Sequence, residues 1–474
     1  MAATATTVPA PVGRARWTRL IPVAIIVYII SFMDRTNIGF AFTGMGNDLH
    51  INKAQQGLAG GIFFIGYLVL QIPGGHLAER WSAKKFVGIM ILVWGVFAFV
   101  SGLVQNYTEL LVVRFLLGVA EGGIWPAILV LISHWFPARE RARAYGFWMM
   151  NIAISSIITA PLSGWILTWG TWRTLFFIEG IFPFVIAAPL WWWLVADRPS
   201  QASWVSRDER AYIETSLARE NAVAPQFAGY RSVFRSSVVW RLVLVYFLIQ
   251  VGFYGLNLWL PHLVKTMIGG SYLVVGAITA IPYLFAIVGL WINARSADRT
   301  GRYSIHVMAS LILGAVALVL SVAFGSIIAL SVFLISIAMA GALAYDGPFW
   351  ASASRAVPVA LAGGAMGLIN ALGNLGGFVG PSIGGFLQDA SGGSFLSTAV
   401  VLAVALVLGG LVMLTLRRQA DKPVLVTQAE AEAAADAQRS GAARGRLRAR
   451  GAPRSLIAPS PSQPTCVSAP PARP

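Results

Sequence analysis

Long apolar stretches separated by short polar ones set the rhythm of this chain. Stretches of roughly 17 to 25 residues are long enough to cross a bilayer as a helix. They fall at 20–43, 56–78, 86–105, 109–134, 144–168 and 174–195, and again at 238–262, 272–294, 305–324, 327–352, 363–388 and 395–416. The pattern predicts an all-α membrane protein of twelve transmembrane helices in two six-helix bundles, 20–195 and 238–416. The first stretch is too long, and followed by too many others, for a cleaved signal. Residues 1–19 are then a cytoplasmic N-terminal segment and 196–237 a polar cytoplasmic loop between the bundles. Within that loop "SRDERAYIETSLARE" has a helical period and an i,i+4 pair, Arg210 with Glu214, which predicts a surface helix; a solvated linker is the alternative. From Arg417–Arg418 onward, 417–474 is rich in Ala, Arg, Pro and Ser and lacks aromatics. Such a segment cannot bury a core, so a disordered basic cytoplasmic tail is expected.

The two halves echo each other. "AERWSAKK" after the second stretch matches "SADRTGRY" after the eighth, and Glu79 and Asp298 lie 219 positions apart. Pro137 and Pro358 differ by 221, Pro161 and Pro381 by 220, and Gly164 and Gly384 by 220. A near-constant offset over several turn and kink residues indicates a duplicated six-helix unit. Two parallel repeats with a binding site near the midplane between them is a plan of secondary transporters.

Composition sharpens this. The chain of 474 residues is 57% hydrophobic and only 11% charged, against about 25% charged in soluble domains. The net charge of +16 raises the question of nucleic acid, and its distribution answers it. With both ends cytoplasmic, the outer loops hold only Lys53, Arg173 and Lys265, and Arg35 and Arg114 lie inside spans. The other thirty of the 35 Lys and Arg face the cytoplasm or lie in the tails, which is the positive-inside pattern of a multi-pass protein. The single cysteine, Cys466, lies in the tail, and the five histidines show no ligand spacing. No Walker or HExxH pattern occurs, and GxSxG spacing appears at 380–384 inside an apolar stretch, so an ATP-driven pump, a hydrolase and a metal centre are disfavoured. No enzyme activity and no cofactor are expected.

The informative residues are charges within spans, which cost roughly 2.5 to 3.5 kcal/mol each on insertion scales and are functional by default. They are Asp34 and Arg35 in "SFMDRTNIGFA" and Arg114 and Glu121 in "LVVRFLLGVAEGGIWPAIL"; Glu179 and Asp346 are weaker candidates. Arg114 and Glu121 are seven residues apart, on one helical face but about 10 Å apart along the axis, too far to pair with each other. Asp34 lies about 20 Å from the inner end of its span and Arg114 about 7 Å from the outer end of its own, so both fall at a similar level. Two acids and two arginines sum to zero. An arginine stays charged, whereas a carboxylate can take a proton and release the arginine to a substrate anion. Proton and anion would then favour each other's binding, as a symporter needs. A static ion-pair network is the structural alternative. Tyr67, Asn151, Asn370, Asn374 and Trp350 fit a polar cavity, with helix–helix hydrogen bonding or packing as their alternative. Glu79 with Arg80, and their echoes Asp298 and Arg299, suit a loop latch that holds the halves in one state.

These stretches resemble the major facilitator superfamily, and within it the anion:cation symporter family. "GGHLAERWSAKK" and "ARSADRTGR" resemble the superfamily's loop motif. "FMDRTNIGFAF", "RFLLGVAEGGIWPAI", "WFPARERARA", "GLNLWLPHLVK" and "INALGNLGGFVGP" resemble family patterns of the first, fourth, seventh and eleventh spans and the loop after the fourth. The resemblance covers residues 17 to 418. It implies two bundles rocking about a central site and import of organic anions (sugar acids, tartrate, phthalate, hydroxyphenylacetate) with protons. By position, it implies that Asp34 and Glu121 couple protons and that Arg35 and Arg114 are substrate-carboxylate and gating partners. Tyr67, Trp350 and Asn370 match where the sugar-acid branch lines its site, and Asn151 lies near a polar position of the fifth span. Trp81-Ser82-Ala83, where Gly-Arg is more usual, and "FWASASRAVPVALAGGAMG" depart from the family pattern. The expected protein is a monomer in the bacterial inner membrane whose partners are a small organic anion, protons and lipid. A drug or metabolite exporter working by proton antiport is the competing reading, with a non-transporting sensor on the same scaffold behind it.

Overall fold

The computed structural model describes residues 14–223, 229–358 and 361–421. It is helical from end to end of that range. The first half contains α1 (Ala15–Asp48), α2 (Lys53–Leu77), α3 (Ala83–Val100), α4 (Tyr107–Gly122), α5 (Ile124–Trp135), α6 (Ala138–Met149), α7 (Asn151–Trp169), α8 (Trp172–Phe182) and α9 (Ala188–Leu194). Two short helices follow, α10 (Arg207–Val223) and α11 (Tyr230–Arg235). The second half contains α12 (Ser237–Ile268), α13 (Tyr272–Thr300), α14 (Tyr303–Ala323), α15 (Ile328–Ala344), α16 (Asp346–Ala356), α17 (Ala362–Gly373), α18 (Gly376–Ala390), α19 (Leu396–Leu414) and α20 (Arg417–Ala420).

Ten helical segments among the described residues are long and apolar enough to cross a membrane, where the apolar pattern predicts twelve. Two local features account for the difference. Residues 53–100 form one continuous helical stretch of 48 residues, about 72 Å at 1.5 Å per residue and more than twice a bilayer core. A π-helical turn at Ala78–Ser82 ends α2, and Ser82 is extended, its hydroxyl accepting the Lys85 N–H that opens α3. Asp197 braces this corner, accepting from the Lys84 N–H at 2.7 Å and from the Ser82 hydroxyl. The eleventh stretch is divided at Asn374 and Leu375 into α17 and α18, of 12 and 15 residues, each too short to span alone. Breaks also fall at Gly123, between α4 and α5, and at Tyr345, between α15 and α16.

Glycine sets how closely helices approach where it matters. On α4, a Cβ at Gly118 or Gly122 would collide with the carbonyl of Phe63 or Tyr67, so α4 lies directly on the backbone of α2. On α2 itself, Gly57 faces the Pro381 carbonyl and Gly61 the Phe378 carbonyl of α18. The halves therefore meet along α2 with α18. They meet again along α7 with α13, where Gly164 and Gly276 oppose each other, and along α1 with α12, where Phe42 packs on Trp259 at 5.6 Å. These contacts lie toward the face opposite the chain ends. There Asp389 of α18 accepts the first backbone N–H groups of α2, from Lys53 at 3.1 Å and Ala54 at 2.8 Å. A carboxylate from one half thus caps a helix of the other, which favours the helix dipole. Gly363 and Gly367 share the face of α17 that presents Asn370 and Asn374, and both look into open space.

The stretch between the halves does more than link them. Its helix α10 docks on the first half: Glu209, 1% exposed, accepts Arg16 Nη1 at 2.6 Å and also faces the backbone N–H groups of Ala15 and Arg16. Arg16 reaches Glu140 with its other nitrogen at 2.7 Å, and Arg141 pairs with Glu220 at 3.1 Å. The helix predicted here is present, and it is packed where a solvated linker was the alternative. Of the tail expected from 417, Arg417–Ala420 is helical with Ala420 buried; residues 422–474 lie outside the described residues.

Candidate functional site

Arg35 is the centre of the site. Its side chain is 3% exposed, and its Nε donates to Glu121 Oε2 at 3.0 Å. The guanidinium is boxed by aromatic rings, with centroids at 4.6 Å for Tyr67, 5.3 Å for Phe63, 5.4 Å for Tyr28 and 5.7 Å for Phe32. Such a box favours a cation by its ring quadrupoles while excluding water. Ser31 donates to the same Glu121 oxygen at 2.7 Å. The other carboxylate oxygen, Oε1, has no hydrogen-bond partner among the described residues. The two helices meet here because the glycines of α4 let it sit against α2, which brings Glu121 under Tyr67 and beside α1.

Arg114 and Asp34 meet in a way the depth argument does not foresee. The guanidinium donates to the backbone carbonyl of Asp34 at 2.9 Å. The Asp34 carboxylate takes the Trp94 indole N–H at 2.9 Å and the Asn37 carboxamide at 3.4 Å. Asn37 also donates to Glu179 Oε2 at 2.8 Å, and Ser163 donates to Glu179 Oε1 at 2.8 Å. Glu179 is 1% exposed, so the buried cluster around Asp34 and Arg35 holds three carboxylates against two arginines, and the expected zero sum needs this correction.

The asparagines form a second group. Asn370 donates to Gln71 Oε1 of α2 at 3.0 Å, a hydrogen bond between the halves. Asn374 donates back to Asn370 at 3.1 Å and accepts from Gln250 at 3.2 Å, and Gln250 accepts from the Tyr345 hydroxyl at 3.1 Å. A polar ladder thus runs from α2 through α17 to α12 and α15. Tyr67 belongs to the Arg35 group, its hydroxyl 3.4 Å from that of Tyr28 and its ring over Arg35. Trp350 is half-buried and donates to Asp346 at 3.1 Å, and it packs on Tyr246 at 5.2 Å. Asn151 is fully buried and donates to the carbonyl of Trp148, whose ring packs with Tyr28 and Trp125.

The two loop motifs are not brought together. Glu79 pairs with His134 of its own half at 3.4 Å and is largely exposed, as is Arg80. Asp298 accepts from Tyr303, which in turn accepts from Arg355 at 2.9 Å; Arg299 is exposed.

Several residues of the site carry no sequence signal. Trp94, Asn37, Ser163, Gln71 and Gln250 look in sequence like ordinary members of apolar helices, and only packing reveals what they touch. The same holds for a small cavity where α1, α7, α12 and α13 meet, lined by Thr36, Ser156, Asn257, Thr279 and Tyr283. There the Tyr283 hydroxyl bonds Asn257, and Thr279 Oγ1 has no partner among the described residues.

The family model described as Major Facilitator Superfamily matches residues 24–381. A putative tartrate transporter of Agrobacterium vitis is 34% identical over 417 residues, covering 85% of this chain and 94% of that protein. A quinolone resistance transporter of Acinetobacter baumannii is also 34% identical, over 86% of this chain and 96% of that one. Among solved structures, a D-xylose-proton symporter has a TM-score of 0.68 at 16% identity, covering 86% of this chain and 99% of that chain.

Proposed function

Because this chain belongs to the major facilitator superfamily, we propose that it is a secondary transporter importing a small organic carboxylate by proton symport through alternating access. The observation that carries the reading is the Arg35–Glu121 pair, a guanidinium in an aromatic box held by one oxygen of a buried carboxylate whose other oxygen has no partner among the described residues. A proton on Glu121 weakens its hold on Arg35, and the freed guanidinium offers a planar fork to a substrate carboxylate. Substrate on Arg35 removes the cation from Glu121 and so favours the proton there. Each ligand strengthens the other, which is reciprocal coupling. Asp34 is the second proton-coupling acid in this reading. Tyr67, Asn370, Asn374 and Trp350 supply hydroxyl and carboxamide contacts and a ring, which suit a hydroxylated or flat acid. Arg114 and Asn151 act at its edge, and the loop groups Glu79, Arg80, Asp298 and Arg299 act in gating.

The membrane arrangement we infer has twelve spans. The 48-residue stretch 53–100 crosses twice, turning at Ser82, and α17 with α18 makes one crossing bent at Asn374. The two bundles are 20–195 and 238–416, joined by the 196–237 loop. With both ends cytoplasmic and the chain in a bacterial inner membrane, the open side by Gly363 and Gly367 faces inward. The protein acts as a monomer in this scheme.

Proton-driven export is a second reading, and the relative named for quinolone resistance favours it. Two arginines buried at the site favour an anionic substrate over a cationic or neutral drug. Reconstituted vesicles decide between them. The panel is a sugar acid, tartrate, phthalate and hydroxyphenylacetate, each with and without an inward proton gradient, and a quinolone in parallel. Accumulation of one acid that collapses with a protonophore is the expected result. Quinolone movement against the gradient, with no uptake of any acid, overturns the import reading.

A further inference from the structure

Glu179 is a buried carboxylate that the proposed cycle does not use. Its two oxygens meet only neutral donors in the hydrogen bonds described, the Asn37 carboxamide at 2.8 Å and the Ser163 hydroxyl at 2.8 Å. Glu121 has Arg35, and Asp34 has the nearby charge of Arg114. Among the described residues no cation pairs with Glu179: of the helices packed against α8, α1 turns Arg35 to Glu121 and presents Asp34 and Asn37, α3 presents the Trp94 indole to Asp34, and α7 presents Ser163. With both arginines charged, ionising all three acids leaves one net negative charge in the interior of a membrane protein. That is an arrangement proteins avoid by protonating a group.

The position of Asn37 makes this more than a static neutral acid. One carboxamide nitrogen serves both acids, Asp34 Oδ1 at 3.4 Å and Glu179 Oε2 at 2.8 Å. Its oxygen, buried in the same cluster, has no partner among the described residues. Two carboxylates on one carboxamide, away from water, repel each other when both are ionised, which is how paired carboxylates come to share a proton.

We propose that Glu179 and Asp34 form a second proton site, a carboxylate pair that shares one proton across Asn37. The inference deepens the proton coupling proposed above and rests on Asp34 taking part in it. When Asp34 gives up its proton, Glu179 can carry that charge equivalent, and the reverse holds when Asp34 is protonated; one O–H bond breaks and one forms, with no change in the pair's charge. A transporter built this way carries the proton of Asp34 and that of Glu121 on separate acids, since Glu121 answers to Arg35 and Ser31.

Infrared difference spectra of the purified protein in lipid, recorded across a pH titration, test this through the carbonyl band of protonated carboxylic acids. Glu179→Gln keeps the size and polarity of the protonated acid. The expected result is that E179Q loses one component of the band that Glu121→Gln retains. Asp34→Asn should also move the midpoint of the Glu179 component by on the order of one pH unit. An E179Q spectrum that superimposes on the wild type overturns the site, and a Glu179 component that titrates identically in D34N overturns the sharing. Uptake in the same vesicles keeps the two readings apart: wild-type accumulation indifferent to the proton gradient overturns symport, while the spectra alone judge Glu179.

Discussion

Arg114 donates to the backbone carbonyl of Asp34 at 2.9 Å, not to its carboxylate, which is held by the Trp94 indole. The two arginines of the site therefore do different work. Arg35 has a carboxylate partner and a box of rings, and in the proposed cycle its charge is exchanged with a ligand. Arg114 fixes the backbone of α1 at the point where that helix carries both site residues.

The contrast predicts separable kinetics. Lysine keeps the charge but lacks the planar fork. Arg35→Lys should raise the KM for the transported acid on the order of tenfold, about 1.4 kcal/mol, with a smaller change in maximal rate. Arg114→Lys should lower the maximal rate and leave KM nearly unchanged. Initial uptake rates over a range of substrate concentration check both, and the opposite split would assign substrate binding to Arg114.

The Asn370–Gln71 bond joins the halves at 3.0 Å and is the end of the ladder through Asn374 and Gln250. Asn370→Ala strips Gln71 of a partner, and Gln71 Nε2 already has none among the described residues. A buried carboxamide left unpaired costs about 1 to 3 kcal/mol. Uptake should fall on the order of tenfold in each of N370A and Gln71→Ala. The double variant should be no worse than either, because the two groups act as one. Strictly multiplicative losses would show that they act independently.

The helical plan was legible because apolar runs of bilayer length and a repeated loop motif need no tertiary information. The four charges at 34, 35, 114 and 121 stood out because ionised groups are rare at such depth. Which acid belongs to which arginine was not legible. Helical rise places Arg114 level with Asp34, but it does not say whether a guanidinium reaches a side chain or a carbonyl. Glu179 read as a weaker candidate for the same reason: its partners Asn37 and Ser163 come from two other helices. Asp389, which caps α2 from across the interface, reads in sequence as an ordinary loop acid.

Arg16 tests whether α10 is a working part of the first half. It is 2% exposed and bridges Glu209 and Glu140 at 2.6 and 2.7 Å. Removing one partner of a buried ion pair costs about 3 to 5 kcal/mol, because the charge left behind is still out of water. Arg16→Ala should lower the melting temperature of the detergent-purified protein by several degrees. Arg16→Ala with Glu209→Gln should recover part of the loss, since the stranded charge is gone. Equal melting of R16A and wild type would mean that α10 is not docked in solution.

Closure of the face opposite the chain ends depends on the contact of α2 with α18. A Cβ at Gly57 would meet the Pro381 carbonyl and the backbone of Gly385, and backbone cannot move aside as a side chain can. Gly57→Val should therefore hold the halves apart on that face, stopping the alternation and with it uptake, while leaving the folded yield intact. Asp389→Ala removes the cap on α2, worth about 0.3 to 1 kcal/mol for an exposed acid at a helix N-terminus. It should shift the same equilibrium in the same direction but only partway. Ser382, which lies against Gly61 on the closed interface, provides the reporter. With Cys466 changed to Ser, a Ser382→Cys variant is treated with a membrane-impermeant maleimide applied to that face. Labelling should be slow in the parent, fast with G57V and intermediate with D389A. Equal rates in all three would mean that this contact does not set which face is open.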